Sequence, residues 1–306
     1  MSGHSLSVTV DIEDWYHIPS VTGSPFSKYR DLDEFFKDWG PKDFDYLTEP
    51  TGRILRILKE YGITATFFIV ADVAHRYPGL VETIAKEGHE IACHGLEHSC
   101  SIDPGAKKPL KAAAEYEAQT KKAKEILEKI SGQKVIGYRA PNAYVAGWMI
   151  DSLEKIGFKY DSSVVANTLY NKSDSTLANV GTSAYYPKPH DLVPMENGDR
   201  RDIVEFPWPV YQMGPVKLPT AGGPMLRFFG ANYLRLGIDQ TLKRDDTLFY
   251  FHPIDISDRR FPDVNTKGRP FYWMIKGNIV EKRVRSLLRL YKDRAIPLRE
   301  RKELLN

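Results

Sequence analysis

The sequence predicts an α/β protein in which parallel strands are joined by helices. Three observations carry that expectation. Strand, helix, strand, helix, strand follow one another between residues 6 and 93, with glycines closing the helical segments. The length, 306 residues, is common for a single α/β barrel with insertions. Acids, imidazoles and a guanidinium each stand directly after a predicted strand, and in parallel β/α folds the C-terminal strand ends share one face.

In chain order, residues 6–12 read as a β-branched strand that runs into Asp11, Glu13 and Asp14. Residues 15–50 hold aromatics, prolines and glycines with little periodicity, as expected of an excursion over a site mouth. Residues 51–61 carry apolar side chains at helical spacing, and Gly62 stops them as a C-cap would. A second strand follows at 63–70, a helix at 78–87 closed by Gly88, and a third strand at 89–93 that leads into His94. Residues 108–130, rich in Ala, Glu and Lys, form the longest helical candidate, ended by Gly132. A short strand at 135–138 precedes Arg139-Ala-Pro-Asn, and a helix opening at Gly147 precedes Tyr160-Asp161-Ser-Ser. Residues 165–198 are polar and broken, while 203–207 and 248–251 are later strands, the last running into His252. Right-handed crossovers would place these strands side by side. The organisation expected is one catalytic domain over 1–306, with insertions near 15–50 and 165–230 and a C-terminal helical extension at 271–306.

Composition excludes several classes. With 42% hydrophobic and 27% charged residues the chain has ordinary globular material for a sizeable core. The formal charge of +3, from 43 basic and 40 acidic residues, leaves no footprint for nucleic acid or an anionic membrane. No apolar stretch reaches the length of a membrane span, and Met-Ser-Gly-His lacks the charged-then-apolar pattern of a signal peptide, so the cytoplasm is the expected location. Cys93 and Cys100 are accordingly expected as free thiols.

The chemistry starts from His94 and His98. Four residues apart, they share one face if the backbone there is helical, and can then hold one metal ion. Neutral imidazoles suit zinc and its neighbours, and a catalytic site takes three protein ligands with a position left for water. The third ligand is expected to be a carboxylate at the end of a buried strand, because buried acids are costly unless paired or metal-bound. On strand alternation Asp11 and Glu13 share a face, and Asp14 joins them only if the chain turns.

With Ala-Thr-Phe67-Phe-Ile, Gly88-His-Glu-Ile-Ala-Cys-His-Gly-Leu-Glu-His-Ser and Arg139-Ala-Pro in place, the chain resembles the polysaccharide deacetylases of the NodB-homology class, metal-dependent carbohydrate esterases. The likeness covers roughly residues 6–161 and resumes near His252. Asp11-Ile-Glu-Asp-Trp, Tyr160-Asp-Ser-Ser, Gly222-Gly223 with Arg227, and Phe251-His-Pro resemble the subgroup associated with exopolysaccharide and exosortase systems. The resemblance implies a distorted (β/α) barrel with fewer than eight regular strands. It makes His94 and His98 metal ligands and draws the metal carboxylate and the general base from the N-terminal acids. One family pattern gives Glu13 as base and Asp14 as ligand; another gives Asp11 as base, and the assignment favoured is Asp11 as base with Asp14 as ligand. Arg139 would hold the base carboxylate, and His252 would protonate the leaving amine, with Asp255 or Asp161 tuning it. Asn142 stands where the family frequently has Tyr, at a position whose backbone N–H serves the oxyanion.

The expected activity is therefore metal-dependent hydrolysis of N-acetyl groups on an amino sugar, in a polysaccharide, oligosaccharide or glycan precursor. The divalent metal expected is Zn2+, with Co2+, Ni2+ or Fe2+ as alternatives, and the partner is an N-acetylated amino-sugar substrate. The competing enzyme is a metal-dependent amidohydrolase or deformylase of the same fold acting on a non-polymeric C–N substrate. Taken singly, each residue also has a plainer role: His98 or His252 as a structural histidine, Arg139 as a strand-capping ion pair, and Trp15, Tyr16, Trp208 and Tyr211 as loop packing rather than sugar platforms.

Overall fold

The first strand, β1 (Leu6–Ile12), alternates strictly between apolar and polar residues. Leu6, Val8, Val10 and Ile12 enter the main hydrophobic cluster, while Ser7, Thr9 and Asp11 are buried on the opposite face. A strand covered on both sides in this way belongs to the middle of a parallel sheet. The structure, a computed structural model, describes residues 3–18, 45–196, 200–261 and 274–305. Most of the excursion expected at 15–50, and the start of the C-terminal extension at 271–273, lie outside the described residues.

After a 3-10 turn at Trp15–His17 comes helix α1 (Thr48–Tyr61), which ends where Gly62 adopts φ +66° and returns its N–H to the last turn. β2 (Thr66–Ile69), α2 (Ala71–Arg76), α3 (Leu80–Lys86) and β3 (Glu90–Cys93) complete two crossovers. The helix expected at 78–87 is α3, and the short α2 before it, which ends at Tyr77, was not anticipated from the sequence. α4 (Ala113–Ser131), β4 (Gly137–Tyr138), α5 (Gly147–Lys155), β5 (Tyr160–Asp161) and β6 (Val204–Glu205) follow. A hairpin not anticipated from the sequence, β7 (Val210–Met213) and β8 (Val216–Pro219), turns at Gly214 with φ +57°. α6 (Gly223–Phe229), α7 (Ala231–Thr241), β9 (Thr247–Phe251), the short α8 (Pro253–Ile256) and α9 (Asn278–Tyr291) finish the chain.

Among the described residues seven strands form one sheet in the order β6-β5-β4-β3-β2-β1-β9, every pair parallel. The sheet curls into an incomplete (β/α) barrel, as expected. Two apolar layers hold it. The outer one packs Phe67, Ile69, Ile91 and Phe249 beneath Ile54, Leu58, Ile84 and Leu127 of the helices. The inner one gathers Phe68, Tyr160, Phe206, Trp208 and Tyr250 inside the curl. Leu298, from the C-terminal tail, joins the inner layer, and Arg299 N–H donates to Glu90 at the start of β3, so the tail closes the N-terminal end. The opposite end, where the strands finish, stays available for chemistry. Among the described residues no helix is long and apolar enough to cross a membrane.

Candidate active site

The floor of the site is the end of β1. Its pleat turns Thr9 and Asp11 inward, and Arg139, one residue past β4, meets both. Arg139 Nη1 donates to Asp11 Oδ1 at 2.6 Å and to Thr9 Oγ1 at 2.9 Å, while Nε and Nη2 donate to the carbonyl and hydroxyl of Ser162. The guanidinium has no solvent exposure and lies against the rings of Phe68, Trp208 and Tyr250, at 4.0, 5.4 and 5.3 Å. A cation this desolvated needs its anion, and removing one partner of such a pair costs about 3–5 kcal/mol. Asp11 Oδ1 is thereby fixed, and its Oδ2 lies 4.0 Å from His252 Nε2. Trp208 serves this cage and, like Trp15 and Tyr16, is buried, which favours packing over sugar stacking for these three rings.

His94 and His98 follow β3, but not on a helix. Gly95 takes φ +84° and His98 φ +63°, so the chain turns twice between them. Gly95 and Leu96 carbonyls accept the N–H groups of Ala71 and Asp72, which pins this turn to the start of α2. The imidazoles still converge, with ring centroids 4.8 Å apart. Each Nδ1 is committed to a backbone carbonyl, His94 to Arg139 at 2.8 Å and His98 to His17 at 2.7 Å. A ring that donates from Nδ1 presents an unprotonated Nε2, the tautomer a metal requires. Burial outweighs the nearby carboxylates of Asp11 and Glu13, pulls His94 down to about 4 and keeps it neutral.

The carboxylate facing these two Nε2 atoms belongs to Glu13. It contacts His98 Nε2 and lies 3.9 Å from His94 Nε2, and the three side chains form a buried cluster of the size a metal ion occupies. Burial opposes its charge, which the imidazolium of His252, 3.2 Å away, favours.

The structure does not bring Asp14, the expected ligand, to the imidazoles. Asp14 is the N-cap of the 3-10 turn: its carboxylate accepts from Trp15 N–H at 2.7 Å and from the Tyr77 hydroxyl, and its own N–H donates to His17 Nδ1 at 3.0 Å. The physical reason is parity. The strand keeps its pleat through Glu13, so Asp11 and Glu13 share the inner face and Asp14 falls on the other. Burial pushes its carboxyl up to about 7.

His252 stands one residue past β9 and closes the site from the other side. Its Nε2 is 3.2 Å from Glu13 Oε1, while Nδ1 is 2.9 Å from Asp255 Oδ2. The same oxygen accepts the His252 backbone N–H, and Arg227 from α6 takes the other oxygen. Burial resists a charge on His252, but Asp255, Glu13 and Asp11 outweigh it and push the imidazole up to about 9. Of the two acids considered as its partner, Asp255 is the one in contact. Asp161 instead sits beside Glu205 across β5 and β6 and accepts from Ser163. Asn142 adopts φ +54°, with its carbonyl bonded to Lys172 Nζ and its amide turned toward the Cys100 thiol. Cys93 and Cys100 are both free and buried.

Three imidazole Nε2 atoms and two carboxylates therefore converge at the C-terminal strand ends, a donor set that suits a divalent metal beside a base and an acid. Residues 38–160 match the family described as polysaccharide deacetylase, and residues 179–295 match a domain of unknown function. A peptidoglycan deacetylase of Helicobacter pylori is 28% identical over 160 residues, which are 51% of this chain and 51% of that protein. A peptidoglycan-N-acetylglucosamine deacetylase of Bacillus cereus is 30% identical over 138 residues, 40% of this chain and 47% of that one. The chain thus spans about half the length of these curated relatives. Among solved structures, an allantoinase shares the fold with a TM-score of 0.54 at 15% identity, over 95% of this chain and 85% of that one.

Proposed function

We propose, from the premise that this chain carries a polysaccharide deacetylase domain, that it is a metal-dependent hydrolase removing N-acetyl groups from an amino sugar in a glycan or glycan precursor. The observation that carries the reading is the convergence of His94, His98 and His252 on Glu13 and Asp11, with both ligand-type rings held as the Nδ1–H tautomer. The catalytic domain is taken as the whole of 1–306, because β9 and β6 from the later half flank the sheet begun by the earlier one.

Glu13, His94 and His98 would hold the dication, zinc by the preference of two imidazoles and one carboxylate, with Glu13 in the place expected of Asp14. Bound there, such an ion polarises the acetyl carbonyl and lowers the pKa of a water molecule. Asp11 is the base that accepts the water's proton, and Arg139 holds and aims it. His252 Nε2 gives a proton to the nitrogen as the C–N bond breaks, since an amine anion is too poor a leaving group to depart unprotonated. Base and acid act from opposite sides of Glu13.

The test is acetate release from N-acetylglucosamine oligomers by wild type and His94→Ala, each with and without zinc or cobalt. Metal-dependent acetate that falls by at least about 10³-fold in the variant is expected. Bound metal without acetate from any acetamido sugar would overturn the substrate class and favour an amidohydrolase.

A further inference from the structure

Residues 179–295 match a domain to which no function is attached, yet His252 lies inside that range and so do Asp255 and Arg227, which hold it from the Nδ1 side. Asp255 has no solvent exposure and receives three donors: the backbone N–H and Nδ1 of His252 on one oxygen, and Arg227 on the other. Arg227 is 1% exposed and reaches inward from α6, whose last carbonyls are held by Arg283 of α9. The helix can come this close because Gly223 opens it. A Cβ there would lie 2.5 and 2.9 Å from the Asp255 oxygens and 2.9 Å from His252 Nδ1.

We infer that Arg227 is a positioning residue for the general acid: it fixes Asp255, which fixes His252 so that Nε2–H points at the leaving nitrogen, and the region of unknown function is thereby the acid half of the active site. The inference rests on the deacetylase reading for its reaction, but its geometry stands without it. Without the guanidinium, the Asp255 oxygen opposite His252 loses its anchor, so the ring loses its orientation. Arg227 acts on His252 through Asp255, so its removal is expected to spare substrate binding.

A merely structural arginine would lower all rates together, whereas a residue that positions an acid matters only when the leaving group needs a proton. Wild type, Arg227→Met, Arg227→Lys and Gly223→Ala, all loaded with zinc, are compared on an N-acetylglucosamine oligomer and on 4-nitrophenyl acetate, whose phenolate leaves unprotonated. Arg227→Met is expected to lower kcat on the amide by about 10²-fold with KM unchanged, and the ester rate by less than about 3-fold. Arg227→Lys recovers part of the amide rate. Gly223→Ala, which pushes the aspartate aside without removing a charge, follows the same pattern and carries the test if Arg227→Met does not fold. Equal losses on both substrates, or none on either, would overturn the inference.

A second arm needs no metal and no turnover. The hydrogen-bonded Nδ1 proton of His252, assigned by its disappearance in His252→Gln, is expected downfield in the proton NMR spectrum of the wild-type apoprotein and absent in Arg227→Met. Its persistence in Arg227→Met would overturn the role. If wild type releases no acetate at all, the deacetylase reading fails, while the ester and NMR arms still decide the part played by Arg227.

Discussion

Two buried arginines each grip an aspartate at this site, and the two pairs end in opposite chemistry. On the side built from β1 and β4, Arg139 holds Asp11, whose other oxygen carries no imidazole within hydrogen-bond distance among the described residues and lies 4.0 Å from His252. On the side built from β9 and α6, Arg227 holds Asp255, whose other oxygen is covered by His252. The first arrangement leaves an anion exposed to substrate, which can take a proton. The second inserts an imidazole between the anion and the substrate, and that imidazole can give one. One device, a desolvated arginine–carboxylate pair, thus yields a base or an acid according to whether a histidine is interposed. Glu13 lies between the two sides, within reach of His94, His98 and His252, and keeps their charges apart.

Removing that central anion should have the largest effect. Glu13→Gln is expected to lose bound zinc on dialysis and at least about 10³-fold in acetate release, because it takes away the carboxylate of the imidazole cluster. Metal analysis of the purified variant beside wild type checks it. Full zinc occupancy in Glu13→Gln would dissolve the division between the two sides, since the ligand would then lie elsewhere.

The next effect separates base from acid. Asp11→Asn is expected to retain zinc and to lower amide and aryl-ester hydrolysis alike by about 10²–10⁴-fold, since the attacking water must lose its proton whatever leaves. The acid side shows instead in the pH profile. His252 works as the imidazolium and is pushed up to about 9, so the amide rate falls as pH rises toward and through that value. A bound dication nearby moves the limb downward, and Asp255→Asn moves it further by removing the anion that favours the charge. The ester rate should lack this limb, and an identical limb for both substrates would break the contrast.

How much of this was legible beforehand follows from the range of the interactions. The β1 alternation is local, and Leu-Ser-Val-Thr-Val-Asp-Ile-Glu already states that Asp11 and Glu13 share a face. Parity thus pointed to Glu13, while the pattern of adjacent acids pointed to Asp14. The pair His94 and His98 was legible as a pair, but its helical basis was not, because the turn rests on positive φ at Gly95 and His98 and on bonds to α2. The short α2 escaped notice for a similar cause, as its end at Tyr77 depends on a hydroxyl that reaches back to Asp14. Arg227 and Asp255 lie 28 residues apart, and nothing in their spacing announces an ion pair. Only the close approach allowed by Gly223 makes one, and that is a fact of packing rather than of local pattern.

The smallest expected effect tests the parity argument from its other side. Asp14 caps the turn at Trp15–His17, and the carbonyl of His17 in turn orients the His98 ring. Asp14→Asn keeps an acceptor for the Trp15 N–H, so it should retain zinc, lower activity by less than about 10-fold and cost about 1 kcal/mol of stability, the ordinary size of a weakened cap. Thermal unfolding with zinc analysis measures both quantities. Because Asp14 and Glu13 are neighbours in sequence, a strand that slipped or bulged by one residue would exchange their roles. Loss of zinc as complete as in Glu13→Gln would mean that the pleat is interrupted before Asp14 when metal binds. Retention would mean that alternation along β1 alone decides which of two adjacent acids reaches the ion.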